Sequence, residues 1–220
     1  MSNSDSFIDE VSEEVRRDRL WGLFRRWGWL PILLVLLLVG GAAFNEYRKA
    51  SVRAESQALG DGITAALEGA EADRVTALNA IPADGPGAAL VGFLSAAADS
   101  DADNTTAALA RLSAIESDMS LPEHYRHLAT LKRVLMTTDT APADERIAAL
   151  GPLTVAGSPY RLLAQEQLAI AQVQQDEVEA AIEGLQAILG DSEATEGLRR
   201  RASQLIVALG AEPALGPVTQ

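Results

Sequence analysis

A continuous apolar segment at 27–45 constrains the fold of this chain more than any other feature. Its nineteen residues, WGWLPILLVLLLVGGAAFN, carry no charged side chain between Arg26 and Glu46. At about 1.5 Å of rise per residue, a helix of this length approaches the roughly 30 Å hydrocarbon thickness of a bilayer. Trp27 and Trp29 at one end, with Phe44 and Tyr47 at the other, are typical membrane-interface anchors. The sequence therefore predicts one transmembrane helix at 27–45.

Two other structures are compatible with an apolar segment of this length, a buried helix of a soluble core and a cleaved signal peptide. The small residues Gly41, Ala42 and Ala43 resemble a cleavage site. However, 26 residues with six carboxylates precede the segment, whereas signal peptides begin with a short basic region. We therefore expect a retained anchor.

The distribution of charge indicates orientation and excludes nucleic acid as a partner. Five arginines lie in residues 1–26, whereas Arg48, Lys49 and Arg53 follow the segment closely. This bias predicts a cytoplasmic N-terminus, and thus a C-terminal domain in the periplasm of a bacterial inner-membrane protein. Residues 46–220 contain 25 acidic and 13 basic side chains, a net charge of −12 that repels phosphate backbones.

The remainder of the chain predicts an all-α fold. Alanine-rich periodic segments alternate with Gly, Pro and Asp breaks, and no segment shows the period-two alternation of a strand. The predicted helices are 72–81, 87–99, 104–116, 122–137, 143–150, 159–174, 177–189 and 196–209. The predicted organisation is a cytoplasmic amphipathic tail (1–26), the transmembrane helix (27–45), a helical connector (46–69), a tetratricopeptide-like repeat domain (70–209) and a disordered C-terminal tail (210–220). The tail 1–26 either orients the anchor or contacts a partner.

Internal repetition supports stacked helical hairpins. Arg-x-x-Ala recurs near three helix starts, at Arg126, Arg161 and Arg199, with spacings of 35 and 38 residues. A tetratricopeptide hairpin occupies about 34 residues. Two predicted second helices share a small-then-large pattern: Ala108, Leu112, Ile115 and Ala181, Leu185, Ile188. Because a cation opposes the dipole at a helix start, we expect each arginine to meet a carboxylate, from the preceding hairpin for instance.

The chain resembles a known family at this point. The tail FIDEVSEEVRRDRLWGLFRRWG, the single span and the closing SPYRLLAQEQLAIAQVQQDEVEAAIEGLQAIL and EGLRRRASQLI are similar to the tetratricopeptide-like ancillary subunits of the bacterial Sec translocon, in their alphaproteobacterial form. The resemblance implies an inner-membrane protein whose periplasmic repeats associate with Sec translocon subunits and with periplasmic chaperones or isomerases. The repeats depart from strong tetratricopeptide repeats, because they lack the bulky Trp of the first helix.

No pattern indicates catalysis, a cofactor or a small-molecule substrate. Nucleotide-binding glycine motifs and a His-Glu-x-x-His motif are missing, and the sequence contains no Cys. His124 and His127 share a helix face but lack a third ligand, so we expect no metal site. The sequence thus predicts a non-enzymatic protein.

We expect partners to bind along the concave face that the first helices of stacked hairpins line. The predicted groove residues are Leu128, Leu131, Leu135, Leu163, Glu166 and Ile170. These leucines can also be core residues, and partners can instead bind the membrane helix. The expected function is an anchored adaptor at the Sec translocon that tethers secreted clients or folding factors; the alternative is a scaffold for another envelope complex, in cell division or outer-membrane assembly.

Overall fold

A computed structural model describes residues 29–214, without the side chains of 31 and 32, and within this range the fold is all-α. It contains nine α-helices, two short 3-10 turns (Glu71–Asp73 and Gly151–Leu153) and no strand. The prediction of an all-α chain is confirmed. The helices are α1 (Trp29–Glu68), α2 (Arg74–Asn79), α3 (Gly85–Asp101), α4 (Thr105–Ser117), α5 (Glu123–Met136), α6 (Ala143–Leu150), α7 (Arg161–Gln174), α8 (Val178–Gly190) and α9 (Glu196–Ala208).

The contacts divide the chain into two units, Met1–Ala58 and Leu59–Gln220. In the first unit, residues 29–58 belong to α1, and the side chains of Trp29, Phe44 and Tyr47 are exposed. Among residues 29–214, no helix is both long enough and apolar enough to cross a membrane. Trp27 and the predicted tail 1–26 lie outside the described residues.

Several helices begin at residues that favour a helix start. Asn104 accepts a hydrogen bond from the backbone N–H of Ala107 at 3.3 Å, and Thr195 accepts one from Leu198 at 3.3 Å. Each satisfies an N–H that the first turn leaves unpaired. Pro122 and Pro142 immediately precede α5 and α6, where a missing N–H costs little. The eight predicted helices therefore agree with the observed ones to within a few residues, except that 72–81 divides into a 3-10 turn and α2.

Four apolar clusters follow one another along the second unit. The first joins the end of α1 to α2 and α3, and the second joins α3, α4 and α5. The third joins α5, α6 and α7, and the fourth joins α7, α8 and α9. Each helix thus packs mainly against its neighbours in sequence, an arrangement compatible with a helical repeat.

The repeated small residues are buried between the helices. Ala129, Ala164 and Ala202, which end the three Arg-x-x-Ala motifs, are fully buried. The two small-then-large patterns in α4 and α8 are buried as well. Alanine admits the neighbouring helix closely, and the Leu and Ile side chains fill the layer on either side.

Candidate interaction surfaces of the helical repeats

The predicted groove residues of α5 differ in exposure. Leu131 is buried in the third cluster, beside Val134 and Leu150. Leu128 is half-buried against the second cluster, whereas Leu135 is 48% exposed. Only Leu135 therefore offers a large part of its side chain to a partner.

The predicted groove residues of α7 also lie in three different environments. Leu163 is 40% exposed, and Ile170 is half-buried. Glu166 is 4% exposed, and its two carboxylate oxygens each accept a hydrogen bond from Arg201 of α9 at 2.7 Å. The structure brings Leu163, Glu166 and Ile170 onto one helix but assigns Glu166 to an ion pair within the protein. The sequence signal for this pair is a carboxylate and an arginine 35 residues apart, one repeat length.

Ile170 lines an apolar cavity of about 330 Å³ between α7, α8 and α9. Leu185 comes from α8, and Leu205 and Leu209 come from the end of α9. Gln174 contributes a polar group to the lining. This cavity can hold an apolar side chain, and the predicted groove included only one of its lining residues.

Arginine–carboxylate pairs connect consecutive helices in the first half of the repeats. Arg111 Nε donates to Asp99 Oδ2 at 2.5 Å, joining α4 to α3, and Arg111 Nη1 donates to Asn79 Oδ1 at 2.9 Å. Arg133 of α5 binds both oxygens of Glu116 of α4, at 2.7 and 3.1 Å. The paired Glu116 raises the pKa of Arg133. Bidentate pairs of this kind fix the relative rotation of two helices.

The three repeated arginines meet different partners. Arg161 binds Asp191 at 2.8 Å and Glu193 at 2.7 Å. Arg199 Nη2 donates to the carbonyl oxygen of Asp191 at 2.7 Å, whereas Arg126 Nη1 contacts the sulfur of Met119 at 3.1 Å. Among residues 29–214, an ion pair with a carboxylate is thus formed by Arg161 and not by the other two arginines. Its carboxylates come from the loop after α8 rather than from a preceding hairpin, because an antiparallel second helix returns the chain to the start of the first.

Arg146 of α6 is a buried cation whose partner among residues 29–214 is neutral. Its side chain is 2% exposed, and Nη2 donates to Oε1 of Gln174 at the end of α7. Its Nε and Nη1 atoms are buried and have no hydrogen-bond partner within the described part of the chain. An unpaired buried charge is costly, so this contact differs in kind from the carboxylate pairs above.

An open pocket of about 680 Å³ lies between the start of α5 and the loop 155–160. It is lined by Glu123, His124, His127, Ser158 and Tyr160, among others. His127 Nε2 lies 3.3 Å from Glu123 Oε1, and the ring of His124 lies 4.5 Å from that of Tyr125. The sequence did not predict this pocket, because its two walls lie about 30 residues apart in the chain.

Metal binding at the two histidines has no geometric support in this part of the chain. Within residues 29–214, no group of three or more His, Asp or Glu side chains could hold a metal ion. No protein-family model, curated protein or solved structure matches this chain.

Proposed function

We propose that this protein is a membrane-anchored adaptor of the periplasm, whose helical repeats associate with the Sec translocon and hold secreted clients or folding factors near the channel. The proposal depends chiefly on one observation, a run of large apolar side chains that α1 leaves uncovered. Leu36, Leu37 and Leu38 are 64, 65 and 64% exposed. Contiguous apolar surface of this kind favours contact with a membrane or another protein.

The bilayer is the favoured contact because 27–45 carries no charge and has aromatic side chains at both ends. The bias of arginine and lysine favours a cytoplasmic location for residues 1–26 and a periplasmic location for the repeats. The association with the translocon comes from the family resemblance of the tail and the closing repeats.

The mechanism that we propose is tethering. An anchor confines the repeats to the membrane, so a weak contact with a partner in the same membrane occurs at a high effective concentration. A stack of helical hairpins offers a long surface for such contacts. Leu135 and Leu163 contribute exposed apolar side chains to it. An adaptor of this kind requires no catalytic group.

Crosslinking in intact membranes tests the proposal. The tagged full chain is crosslinked in cells, its membranes are washed at alkaline pH, and the recovered proteins are identified by mass spectrometry. We expect the chain to stay with the membranes and to recover translocon subunits together with periplasmic chaperones or isomerases. Release of the chain by the wash would contradict anchoring. Recovery of division or outer-membrane assembly proteins alone would favour the scaffold alternative.

A matched control separates the repeats from the anchor. In this variant, residues 27–45 are replaced by an unrelated membrane helix of equal length with the same flanking residues. If the repeats carry recognition, the variant recovers the same partners. If the replacement abolishes recovery while the chain stays in the membrane, the anchor is the binding element and the repeats are not.

A further inference from the structure

The residues that follow α9 fold back against α8 and the apolar cluster of α7, α8 and α9. Gly210 adopts a φ of +83°, a conformation that glycine tolerates best. Its N–H donates to the carbonyl of Val207 at 3.0 Å, and that of Ala211 donates to Ile206 at 3.1 Å. Glycine with this pair of bonds is a common helix ending that reverses the chain. Ala211 then packs against the apolar cluster of α7, α8 and α9.

The side chain of Gln186, on α8, binds the main chain of this segment at two points. Its Nε2 donates to the carbonyl oxygen of Glu212 at 2.9 Å, and its Oε1 accepts the N–H of Ala214 at 2.9 Å. A neighbouring β-strand makes the same type of contact, with a C=O and an N–H on one edge of an extended chain. Both bonds are to backbone atoms, so they select an extended conformation rather than particular side chains.

The sequence of the segment suits this mode of binding. Pro213 lies between the two bonded residues, where no N–H is needed, and it restricts Glu212 to extended conformations. Ala211 and Pro213 are half-buried, whereas Glu212 and Ala214 have exposed side chains. This alternation matches the period of an extended chain. A proline with one residue of any type on each side, as in 212–214, would therefore fit the same surface.

We infer that the surface of α8 around Gln186 is a binding site for an extended, proline-containing segment of a partner protein, and that residues 212–214 occupy it in the chain itself. A segment joined to its own site acts at an effective concentration in the millimolar range. A proline-containing segment of a partner must displace residues 212–214. The site therefore binds a partner only when the partner is present at high local concentration. This inference does not depend on the proposed membrane location or on the translocon.

Release of the segment tests the inference. The Ala214→Pro variant of the full chain removes the N–H that Gln186 accepts, and Ala214→Ser retains it. The probe is a fluorescent peptide with the sequence of residues 212–220, EPALGPVTQ, and binding is measured by anisotropy. We expect the peptide to bind Ala214→Pro at least about tenfold more tightly than the wild-type or Ala214→Ser chain, because the competing segment is released.

Two further variants make the result specific. The double variant Gln186→Leu, Ala214→Pro should lose the peptide, and a peptide with proline at the position of Ala214 should not bind. Equal binding or no binding by the Ala214→Pro and wild-type chains, both with wild-type helix content, would overturn the inference. Peptide binding that survives Gln186→Leu would overturn it as well.

Hydrogen exchange supplies a second measurement if Ala214→Pro lowers the helix content. The amide of Ala214 should exchange slowly in the wild-type chain and about tenfold faster in Gln186→Leu, because its acceptor is removed. Exchange in the wild-type chain as fast as in the peptide would show that the site is empty in solution and would overturn the inference.

Discussion

Helices α5 and α7 carry the same Arg-x-x-Ala motif at positions 35 residues apart, yet a buried position that they share is apolar in α5 and ion-paired in α7. Leu131 in α5 and Glu166 in α7 are both buried, at 3 and 4% exposure. Leu131 packs in an apolar cluster, whereas Glu166 is paired with Arg201. The two equivalent positions are therefore both buried, whereas the type of side chain differs with the helix that packs against it.

The loops that face the starts of α5 and α7 also differ in their charged residues. Asp191 and Glu193 bind Arg161 of α7. The residues 35 positions earlier, Ala156 and Ser158, have no carboxylate. Arg126 Nε is accordingly buried without a partner among residues 29–214, and so is Ser158 Oγ. The alanine of the Arg-x-x-Ala motif therefore specifies a helix contact, whereas the partner of its arginine depends on the residues of the local loop.

A carboxylate placed in α5, at the position equivalent to Glu166 of α7, is expected to lower the stability most. In Leu131→Glu, a charge replaces an apolar side chain that packs beside Val134 and Leu150. We expect a loss of roughly 3–5 kcal/mol in the free energy of unfolding, the cost of an uncompensated buried charge. Urea unfolding of the full chain, followed by circular dichroism, measures it. The control Leu131→Met should lose less than about 1.5 kcal/mol, and equal losses for the two variants would refute the comparison.

Removal of Arg201, the partner of Glu166 in α7, should have an intermediate effect on the free energy of unfolding. Arg201→Met leaves Glu166 buried without its cation, and we expect a loss of about 1–3 kcal/mol, less than for a fully buried pair because half of the Arg201 side chain is exposed. The same unfolding experiment applies.

The double variant Glu166→Leu, Arg201→Met replaces the ion pair of α7 with apolar side chains, as found around Leu131 in α5. It should unfold within about 1 kcal/mol of the wild-type chain, because an apolar pair can replace a buried ion pair at little cost. A double variant less stable than Arg201→Met alone would mean that the pair is needed for the packing of α9 against α7.

The loop carboxylate should produce the smallest effect, seen as a dependence on pH. The Arg161 guanidinium, together with the backbone N–H of Glu193, holds the pKa of Asp191 below its ordinary value. A lowered pKa in the folded state stabilises the fold fully above the ordinary pKa of about 4, and this contribution is lost as the pH falls through the lowered pKa. Asp191→Asn should therefore be less stable than the wild-type chain at pH 7, with a difference that shrinks below about pH 4.

Urea midpoints of both chains between pH 7 and pH 2 measure this effect. The control is Asp101→Asn, a substitution of an exposed carboxylate at the end of α3. A difference between Asp191→Asn and wild type that stays constant over the whole range would show that the ion pair with Arg161 does not contribute to the free energy of unfolding.

The helices and their small-residue contacts could be predicted because they depend on local spacing. Period-3.6 apolar patterns and proline or glycine breaks gave the helix bounds, and Ala164 and Ala181 of the repeated patterns are fully buried. The groove residues could be predicted less well, because helical spacing gives the face of a residue but not the element that covers it. Glu166 was assigned to a partner surface for this reason.

The sequence alone determined that residues 29–214 are helical, where most of their helices begin and end, and that the repeated alanines are buried. These features follow from hydrophobic periodicity and backbone preference, which act over a few residues. Only the tertiary structure decided the partners of the charged and amide side chains. Arg201 reaches Glu166, Arg146 reaches Gln174, and Gln186 holds residues 212–214. Each contact joins groups 26–35 residues apart, and their approach depends on how the intervening helices pack.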